Sequence, residues 1–389
     1  MNKLEFIDKE LDRRREKHQF RKLKSITPLS ATDVSINGQR IINFSSNDYL
    51  GLSKHPLLKE RSIEFANRYG TGSTASRLIC GSFDCFDQVE EKLAALKGTE
   101  ASLILNSGFQ ANTSVIATLL DPDAIVFSDE LNHSSIIQGV VLSRARKVIY
   151  PHNDLAQLRK RLEQTRGDSA RKLIVTESVF SMDGDRSDID SLIALAKEHD
   201  ALLMVDEAHA TGVLGKNGMG MTADKDVDIV LGTFGKALGA FGAYICCSEK
   251  MRDYLINCCP GFIYSTALPP SIVGSIDAAL DLAPQMESAR QHLQSTAEYF
   301  RQKLRLLGYD TGASSTQIVP IIVGDEQQTL TLAEKLQESG FLATAIRPPT
   351  VPEGTSRIRV ALSSEHDRSQ VDGLLSVFEE YKGSSPHVT

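Results

Sequence analysis

The stretch TFGKALGAFGA at 233–243 places one lysine, Lys236, among glycine, alanine and phenylalanine residues. It follows the apolar run DIVLG directly, so we expect the lysine in a loop close to the end of a strand. An amine that is held away from water has a lowered pKa and becomes a nucleophile towards carbonyl groups. The neighbouring glycines let the backbone approach a flat ligand closely. A single loop lysine is more often only solvated, so a chemical role requires a partner.

Asp206 is a candidate partner, because it ends the apolar run ALLMV in the stretch VDEAH, and His209 follows it. Alone, the aspartate would be interpreted as a helix cap and the histidine as structural. Pyridoxal phosphate (PLP) needs one lysine for its Schiff base and one carboxylate that keeps its ring nitrogen protonated. Asp206 and Lys236, at the ends of successive predicted strands, match these two needs.

Three further stretches also follow apolar runs. NSGFQANTSVI follows ASLIL and opens a predicted helix, so the backbone amides of Gly108 and Phe109 can form an anion cradle for a phosphate. DELNHSS follows DAIVFS and brings His133, which could stack on a cofactor ring. TESVFSMDGD follows KLIV and brings Glu177 and Ser181, before a turn at 182–185. Each stretch alone is equally typical of ordinary turns and caps, but together they provide what one cofactor requires.

The elements that position these residues are predicted as an α/β fold with a mostly parallel, doubly wound sheet. Short runs rich in Val, Ile and Leu alternate with helical patterns such as DIDSLIALAKEHD from about residue 95 onward. Runs that are apolar at consecutive positions are typical of strands buried on both faces. Ligands bind such sheets at the carboxyl ends of the strands, where all of the candidate residues are expected.

The predicted domain organisation has three parts. Residues 1–45 form an N-terminal arm, whose first two dozen residues have the pattern of an exposed amphipathic helix. Residues 46–275 form the large α/β domain, and residues 276–389 form a smaller α+β domain. We expect a long helical region over 271–307 and a loose tail over 383–389.

Composition narrows the function classes. The 389 residues carry a net charge of −7 and are 41% hydrophobic, which favours a soluble protein over a nucleic-acid or membrane binder. The N-terminus has no apolar signal core, and a cytoplasmic location is therefore expected. DEAH also occurs in helicases, but the absence of a GxxxxGK[ST] loop argues against an NTPase. The absence of a GxGxxG motif after an early strand argues against a dehydrogenase. The six cysteines include no CxxC pair, so we expect buried free thiols without disulfides or zinc.

With these residues assembled, the chain resembles the α-oxoamine synthases, which are fold-type I PLP enzymes. The resemblance spans NFSSNDYLGL at 43–52 to RIRVAL at 357–362, in the family's order and spacing. IYSTALPP at 263–270 and TAIRPPTVPEGTSRIRV at 344–360 are most similar to members of the biotin pathway. Those members condense L-alanine with a pimeloyl thioester, carried by coenzyme A or by acyl carrier protein, and release carbon dioxide. The segment RLICG at 77–81, with Cys80, is more similar to 2-amino-3-ketobutyrate CoA ligase, which uses glycine and acetyl-CoA.

The resemblance also implies roles for individual residues. Lys236 would hold PLP, Asp206 its ring nitrogen and His209 its phenolic oxygen, and His133 would stack on the ring. The implied cofactor-binding set is completed by Ser107, Gly108, Phe109, Glu177, Ser181, Thr233, Ser265 and Thr266. Ser265 and Thr266 would come from the partner subunit of a homodimer. Arg347 would bind the amino-acid carboxylate as a bidentate pair, and the other implied substrate-binding residues are Arg21, Asn47 and Thr350.

Overall fold

The structure of the protein is a computed structural model that describes residues 3–384. The chain forms two compact units. The first unit contains the described chain up to Asn47, the turn Met182–Gly184 and the chain from His292 onward. The second unit contains Asp48–Ser181 and Asp185–Gln291. The three-part domain division drawn from the sequence stays a prediction.

The second unit is built around a seven-stranded sheet. Its strands are β4 (Ala101–Leu105), β5 (Ile125–Asp129), β6 (Arg146–Tyr150), β7 (Lys172–Glu177), β8 (Leu202–Asp206), β9 (Ile229–Thr233) and β10 (Ala243–Cys247). Its helices are α2 (Pro56–Tyr69), α3 (Asp84–Lys97), α4 (Gly108–Leu119), α5 (Ser134–Ser143), α6 (Leu155–Glu163), α7 (Ile189–Glu198), α8 (Glu249–Cys258), α9 (Pro260–Ile263) and α10 (Pro270–Leu282).

The predicted mostly parallel sheet is confirmed. The strand order is β4-β10-β9-β8-β7-β5-β6, and the pairs from β9 through β6 are all parallel. Strand β10 lies outside the predicted series and runs antiparallel to both β4 and β9. Because helices cover both faces, the central strands are buried throughout, which explains why their sequences are apolar at consecutive positions.

The first unit contains two smaller sheets, of which one has the order β1-β2-β3-β12 and the other β11-β14-β13. Their strands are β1 (Thr27–Pro28), β2 (Asp33–Ile36), β3 (Gln39–Asn43), β11 (Ile318–Gly324), β12 (Phe341–Leu342), β13 (Thr344–Ile346) and β14 (Ser356–Ala361). The helices are α1 (Glu5–Glu16), α12 (Glu326–Glu338), α13 (Arg368–Ser384) and α11 (Glu287–Leu306), which begins in the second unit. The sequence analysis did not predict β1–β3.

Several sequence-based expectations need correction. The helical region over 271–307 is two helices, α10 and α11, because Pro284 lies in the turn between them and cannot continue the hydrogen-bond ladder. The N-terminal helix ends at Glu16 rather than spanning two dozen residues. The predicted tail is helical as far as Ser384, and residues 385–389 lie outside the described residues.

The six cysteines are free, but not all are buried. Four have inaccessible side chains, whereas Cys80 and Cys258 are exposed, so the expectation of burial is wrong for these two. Cys80 lies in the turn Arg77–Gly81, and Cys258 is the last residue of α8. Within residues 3–384 no cluster of three or more side chains suited to a metal is found. No helix in that range is long and apolar enough to cross a bilayer.

Candidate active site

The candidate site lies at the carboxyl ends of two neighbouring parallel strands of the second unit. Strand β8 ends at Asp206, which is in register with Leu231 of β9. Strand β9 ends two residues later, at Thr233, and the loop that follows carries Lys236. The register of the parallel pair therefore brings the aspartate strand end next to the lysine loop, as the sequence predicts.

Lys236 is joined to His209 and, through it, to a buried tyrosine. The Nζ atom of Lys236 lies 2.8 Å from Nε2 of His209. The other ring nitrogen, Nδ1, lies 2.6 Å from the hydroxyl of Tyr49, whose side chain is inaccessible to solvent. With both ring nitrogens engaged, the plane of the His209 ring is fixed beside the lysine amine. Tyr49 was missed by the sequence analysis, although it lies within the quoted stretch NFSSNDYLGL.

Asp206 is held by donors on both carboxylate oxygens. Asn112 donates from Nδ2 to Oδ2 at 2.7 Å, and the backbone amide of Ala208 donates to Oδ1 at 2.9 Å. Asn112 lies on α4 and also donates to the hydroxyl of Ser135 at 3.0 Å. The aspartate therefore caps a turn rather than a helix, and its orientation is fixed from two sides. Asn112 was also missed, although it lies within the quoted stretch NSGFQANTSVI.

His133 caps the N-terminus of α5 with its ring. Its Nδ1 atom lies 2.7 Å from the hydroxyl of Ser135, and its backbone amide donates to Oε1 of Glu177 at 2.6 Å. Burial lowers the pKa of His133. The charge of Asp206 acts to raise this pKa and that of Lys236 to lower it, and the resulting shift is downward. A neutral imidazole suits stacking on an aromatic ring better than a desolvated cation does. The contact between Nδ1 and the Ser135 hydroxyl orients the His133 ring.

Glu177 is fully enclosed at the end of β7. Burial raises the pKa of Glu177 well above its ordinary value, and the nearby charge of Asp206 adds to that effect. Ser181 follows in the next turn and is also buried. Gly184 ends that turn with a φ of +68°, which a side chain would disfavour. The turn predicted at 182–185 is confirmed.

The predicted anion cradle lies at the N-terminus of α4. Ser107 caps the helix by accepting a hydrogen bond from the backbone amide of Gln110 at 3.2 Å. A Cβ atom on Gly108 would stand only 2.7 Å from Cγ2 of Thr233, so only glycine lets this helix end approach β9. Phe109, the next residue, is exposed.

The cradle fits a phosphate. The Oγ1 atom of Thr233 is buried and has no hydrogen-bond partner among residues 3–384. A buried hydroxyl without a partner is costly, and the free amides of a helix N-terminus attract anions. A phosphate at this position would accept from both groups. The residues present therefore fit PLP, with Lys236 and Asp206 at its aldehyde and ring-nitrogen ends.

Ser265 and Thr266 lie beside the same helix end within one chain. Gln110 donates from Nε2 to the hydroxyl of Ser265 at 2.5 Å, and Asn106 donates to the carbonyl of Thr266 at 2.8 Å. Their expected contribution from a partner subunit stays a prediction.

The four expected substrate-binding residues belong to the first unit. Arg21 donates to the hydroxyl of Thr350 at 3.1 Å, and Asn47 accepts from Arg359 at 3.1 Å. Arg347 donates to the backbone carbonyl of His18. Burial lowers the pKa of Arg347, and the charge of Arg21 acts in the same direction. Arg21, Arg347 and Thr350 line one cavity of about 950 Å³.

Comparison with known proteins agrees with this geometry. Residues 39–378 match the family model of aminotransferase class I and II. A Gluconacetobacter diazotrophicus protein named 8-amino-7-oxononanoate synthase is 50% identical over 95% of this chain and 94% of its own length. A Desulfosudis oleivorans protein with a provisional version of the same name is 56% identical over 98% of this chain and 100% of its own.

Solved structures of serine palmitoyltransferases are also similar to this chain. Serine palmitoyltransferase from Sphingomonas wittichii is 30% identical, with a TM-score of 0.93 and complete coverage of both chains. A second serine palmitoyltransferase, solved with PLP, is 27% identical with a TM-score of 0.92 over 99% of both chains. The chain therefore belongs to the aminotransferase class I and II family of PLP enzymes and, within it, to the α-oxoamine synthases, where it is similar to 8-amino-7-oxononanoate synthases.

Proposed function

We propose that the protein condenses L-alanine with a pimeloyl thioester and releases 8-amino-7-oxononanoate, carbon dioxide and the free thiol, as a step in biotin biosynthesis. The proposal is supported by the names of relatives at about half identity over nearly the whole chain. The single observation that carries it is the arrangement at two adjacent strand ends. There the Lys236 amine touches His209, and Asp206 is oriented by Asn112.

PLP, when bound, supplies an electron sink for the negative charge that develops at Cα of the amino acid. Asp206 would keep the ring nitrogen protonated, because Asn112 and the Ala208 amide hold its carboxylate in place. His209 would donate to the phenolic oxygen from the nitrogen that now contacts Lys236. Glu177 would act indirectly, by holding the backbone of His133 against the ring face.

Lys236 would carry protons as well as bind the cofactor. Once alanine replaces it, its Nζ atom is the proposed base for the Cα proton and later the donor that returns a proton. Arg347 would bind the alanine carboxylate with two parallel hydrogen bonds, which fixes the orientation of the Cα–H bond. Arg21, Asn47 and Thr350 are proposed to bind the acyl substrate. His133 and Ser181 are further candidates for proton transfer.

A homodimer is part of the proposal. Large apolar side chains are exposed on elements of the second unit that adjoin one another. Helix α4 packs against α5 and α9, and α9 packs against the turn Arg77–Gly81. These side chains, which we call the apolar patch, are Leu78, Ile79, Phe109, Ile137, Val141, Leu142 and Tyr264. So many exposed apolar side chains on neighbouring elements are typical of an interface. Ser265 and Thr266, which adjoin Tyr264, could then reach the partner's phosphate site. The cytoplasmic location stays a prediction.

Product analysis tests the proposal. The purified protein, loaded with PLP, is offered alanine or glycine, each with pimeloyl-CoA, a pimeloyl carrier protein or acetyl-CoA. We expect 8-amino-7-oxononanoate from alanine with at least one pimeloyl thioester, together with carbon dioxide. Preferred turnover of glycine with acetyl-CoA would instead favour the 2-amino-3-ketobutyrate reaction that Cys80 suggested. Absence of any condensation product would contradict both.

A further inference from the structure

A strongly basic segment stands out in an acidic protein. Residues 13–24, RRREKHQFRKLK, hold seven Arg or Lys and one Glu, and we call them the basic segment. Its charge is +6, whereas the whole chain carries −7, so the rest of the chain carries −13. A concentration of one sign against a background of the other creates a local potential that steers a charged partner to one place.

The basic segment is exposed and only partly neutralised. It begins in the last turn of α1, a helix with no buried residue. Arg13 and Arg14 both pair with Glu10, and Arg15 pairs with Asp12, so three arginines share two carboxylates on this helix. Lys17 has an exposed side chain and no ion pair in the described part of the chain. Such surface pairs contribute little to stability and exchange readily for other partners.

The other end of the basic segment is anchored near the expected substrate-binding residues. Arg21 donates to Thr350, and Lys24 donates to the side-chain oxygen of Gln337 at 2.6 Å. Residues 19–24 form part of the wall of the 950 Å³ cavity that Arg347 and Thr350 also line. A partner held on the exposed part of the basic segment would therefore have its acyl chain close to this cavity.

We propose that the basic segment docks an acidic carrier protein that presents the acyl group as a thioester. This inference rests on the proposed function, because it names the carrier of its acyl substrate. The charges extend from Arg13, in the last turn of α1, to Lys24, and residues 13–17 lie outside the cavity that residues 19–24 line, so the charges are spread over two places. A nucleotide carries its phosphates in a small volume and needs converging donors. An acidic protein surface matches a dispersed and exposed row of cations.

Charge reversal at the part of the basic segment outside the cavity tests the proposal. In Arg13→Glu/Lys17→Glu, we expect KM for a pimeloyl carrier protein to rise at least tenfold at low ionic strength. KM for pimeloyl-CoA should stay within about twofold. The matched control is Lys147→Glu/Lys160→Glu, which makes the same charge change at exposed positions of the second unit and should change neither value. Added salt should raise the wild-type KM for the carrier protein and have little effect on the variant.

Each outcome decides the inference. Equal losses with both thioesters would overturn it in favour of coenzyme A phosphates, and unchanged KM values would also overturn it. If neither thioester is turned over, the proposed function fails, and docking is then measured directly. That second measurement is fluorescence anisotropy of a labelled carrier protein bearing phosphopantetheine without an acyl group. Binding that is lost in the variant, with unchanged circular dichroism, supports docking, and equal binding overturns it.

Discussion

At the scale of single residues, the site contains polar atoms that the chain itself leaves incomplete. Thr233 has a buried hydroxyl oxygen without a partner in residues 3–384, beside a glycine that leaves no room for a side chain. Asp206 and His209, in contrast, are already oriented by Asn112 and Tyr49. Groups of the protein orient Asp206 and His209, whereas the unpaired hydroxyl of Thr233 is expected to face the phosphate.

Thr233→Val should therefore have opposite effects with and without PLP. Without PLP, removal of an unpaired buried hydroxyl should leave the thermal midpoint unchanged or raise it slightly, because valine has nearly the same shape. With PLP, the lost hydrogen bond to a charged group should weaken binding by about 1.5–3 kcal/mol, roughly tenfold or more. Titration of PLP into the apoprotein measures the second effect, and Thr233→Ser is the control. Equal PLP affinity in Thr233→Val would remove the residue from the phosphate site.

The residues that sequence reasoning found and missed differ in one physical respect. Asp206 directly follows an apolar run and Lys236 lies in the loop after another, so their place near strand ends could be predicted, whereas Thr233 was named only through the family resemblance. Tyr49 and Asn112 act from a loop and a helix face, where tyrosine and asparagine are ordinary residues. Their role comes only from long-range packing, which no local pattern encodes.

At the scale of elements, a buried ion pair stabilises the turn after β8. Lys97, at the end of α3, lies 2.8 Å from Glu207, and both side chains are inaccessible to solvent. Thr222 also donates to Glu207, from its backbone amide at 3.0 Å and from its hydroxyl at 2.7 Å. Burial opposes the charge on Lys97, but the nearby Glu207 raises the pKa of the lysine above its ordinary value. Glu207, the residue after Asp206, is therefore held against the end of α3.

Lys97→Met should destabilise the protein by about 3–5 kcal/mol, because it leaves Glu207 buried without a cation. Lys97→Met/Glu207→Gln should recover much of that loss, since the amide can still accept from Thr222. Urea unfolding of the two variants and the wild type measures the difference. A single variant as stable as the wild type would show that the pair contributes nothing.

A histidine between two carboxylates joins the ends of β5 and β6 to the chain that follows β7. The ring of His152 lies 2.9 Å from Oδ1 of Asp129, at the end of β5, and 2.7 Å from Oδ2 of Asp185, beyond β7. Burial disfavours the imidazolium, but hydrogen bonds to Asp129 and Asp185 outweigh it and raise the pKa of His152 to about 10.

This pair of contacts predicts a pH dependence. A group whose pKa is raised on folding contributes its full stabilisation below its unfolded pKa of about 6.5 and loses it as the pH approaches the folded value. The thermal midpoint of the wild type should thus exceed that of His152→Gln most at pH 6.5, and the gap should shrink towards pH 10. Differential scanning fluorimetry across this range measures the gap. A gap that is constant or widens with pH would contradict the charged state of His152.

The elements themselves were predicted unevenly. Strands β4, β5, β7, β8 and β9 follow from buried apolar runs, and α7 follows from its Asp188 cap. The expectation of burial is wrong for β6, because it is the edge strand of the sheet and is mostly exposed. Strands β1–β3 were missed because they are short and partly exposed, and because β3 joins them to residues 341–342 far along the chain. Pairing at such a separation depends on tertiary context rather than on local pattern.

At the scale of the whole molecule, the apolar patch needs a cover. Tyr264 is 83% exposed and follows α9, which packs against the helix with the predicted phosphate cradle, and Ile79 is 78% exposed in the turn that packs against α9. A homodimer through this surface would bury the patch and bring Ser265 and Thr266 to the interface.

Ile79→Glu/Leu142→Glu should shift the protein from dimer to monomer, because burying two carboxylates in an apolar interface is costly. Light scattering after size-exclusion chromatography reports the mass. Leu306→Glu, at an equally exposed position of the first unit, should leave the dimer intact. A wild-type monomer, or a dimer unaffected by both patch substitutions, would refute the interface.

The most direct test of the account is the identity of the side chain that binds the cofactor. The protein is incubated with PLP, reduced with borohydride, digested and sequenced by mass spectrometry. We predict a visible absorption band before reduction and a pyridoxyl group on Lys236 afterwards, with neither in Lys236→Ala. A protein that stays colourless, or a label at another lysine, would contradict the assignment of this site.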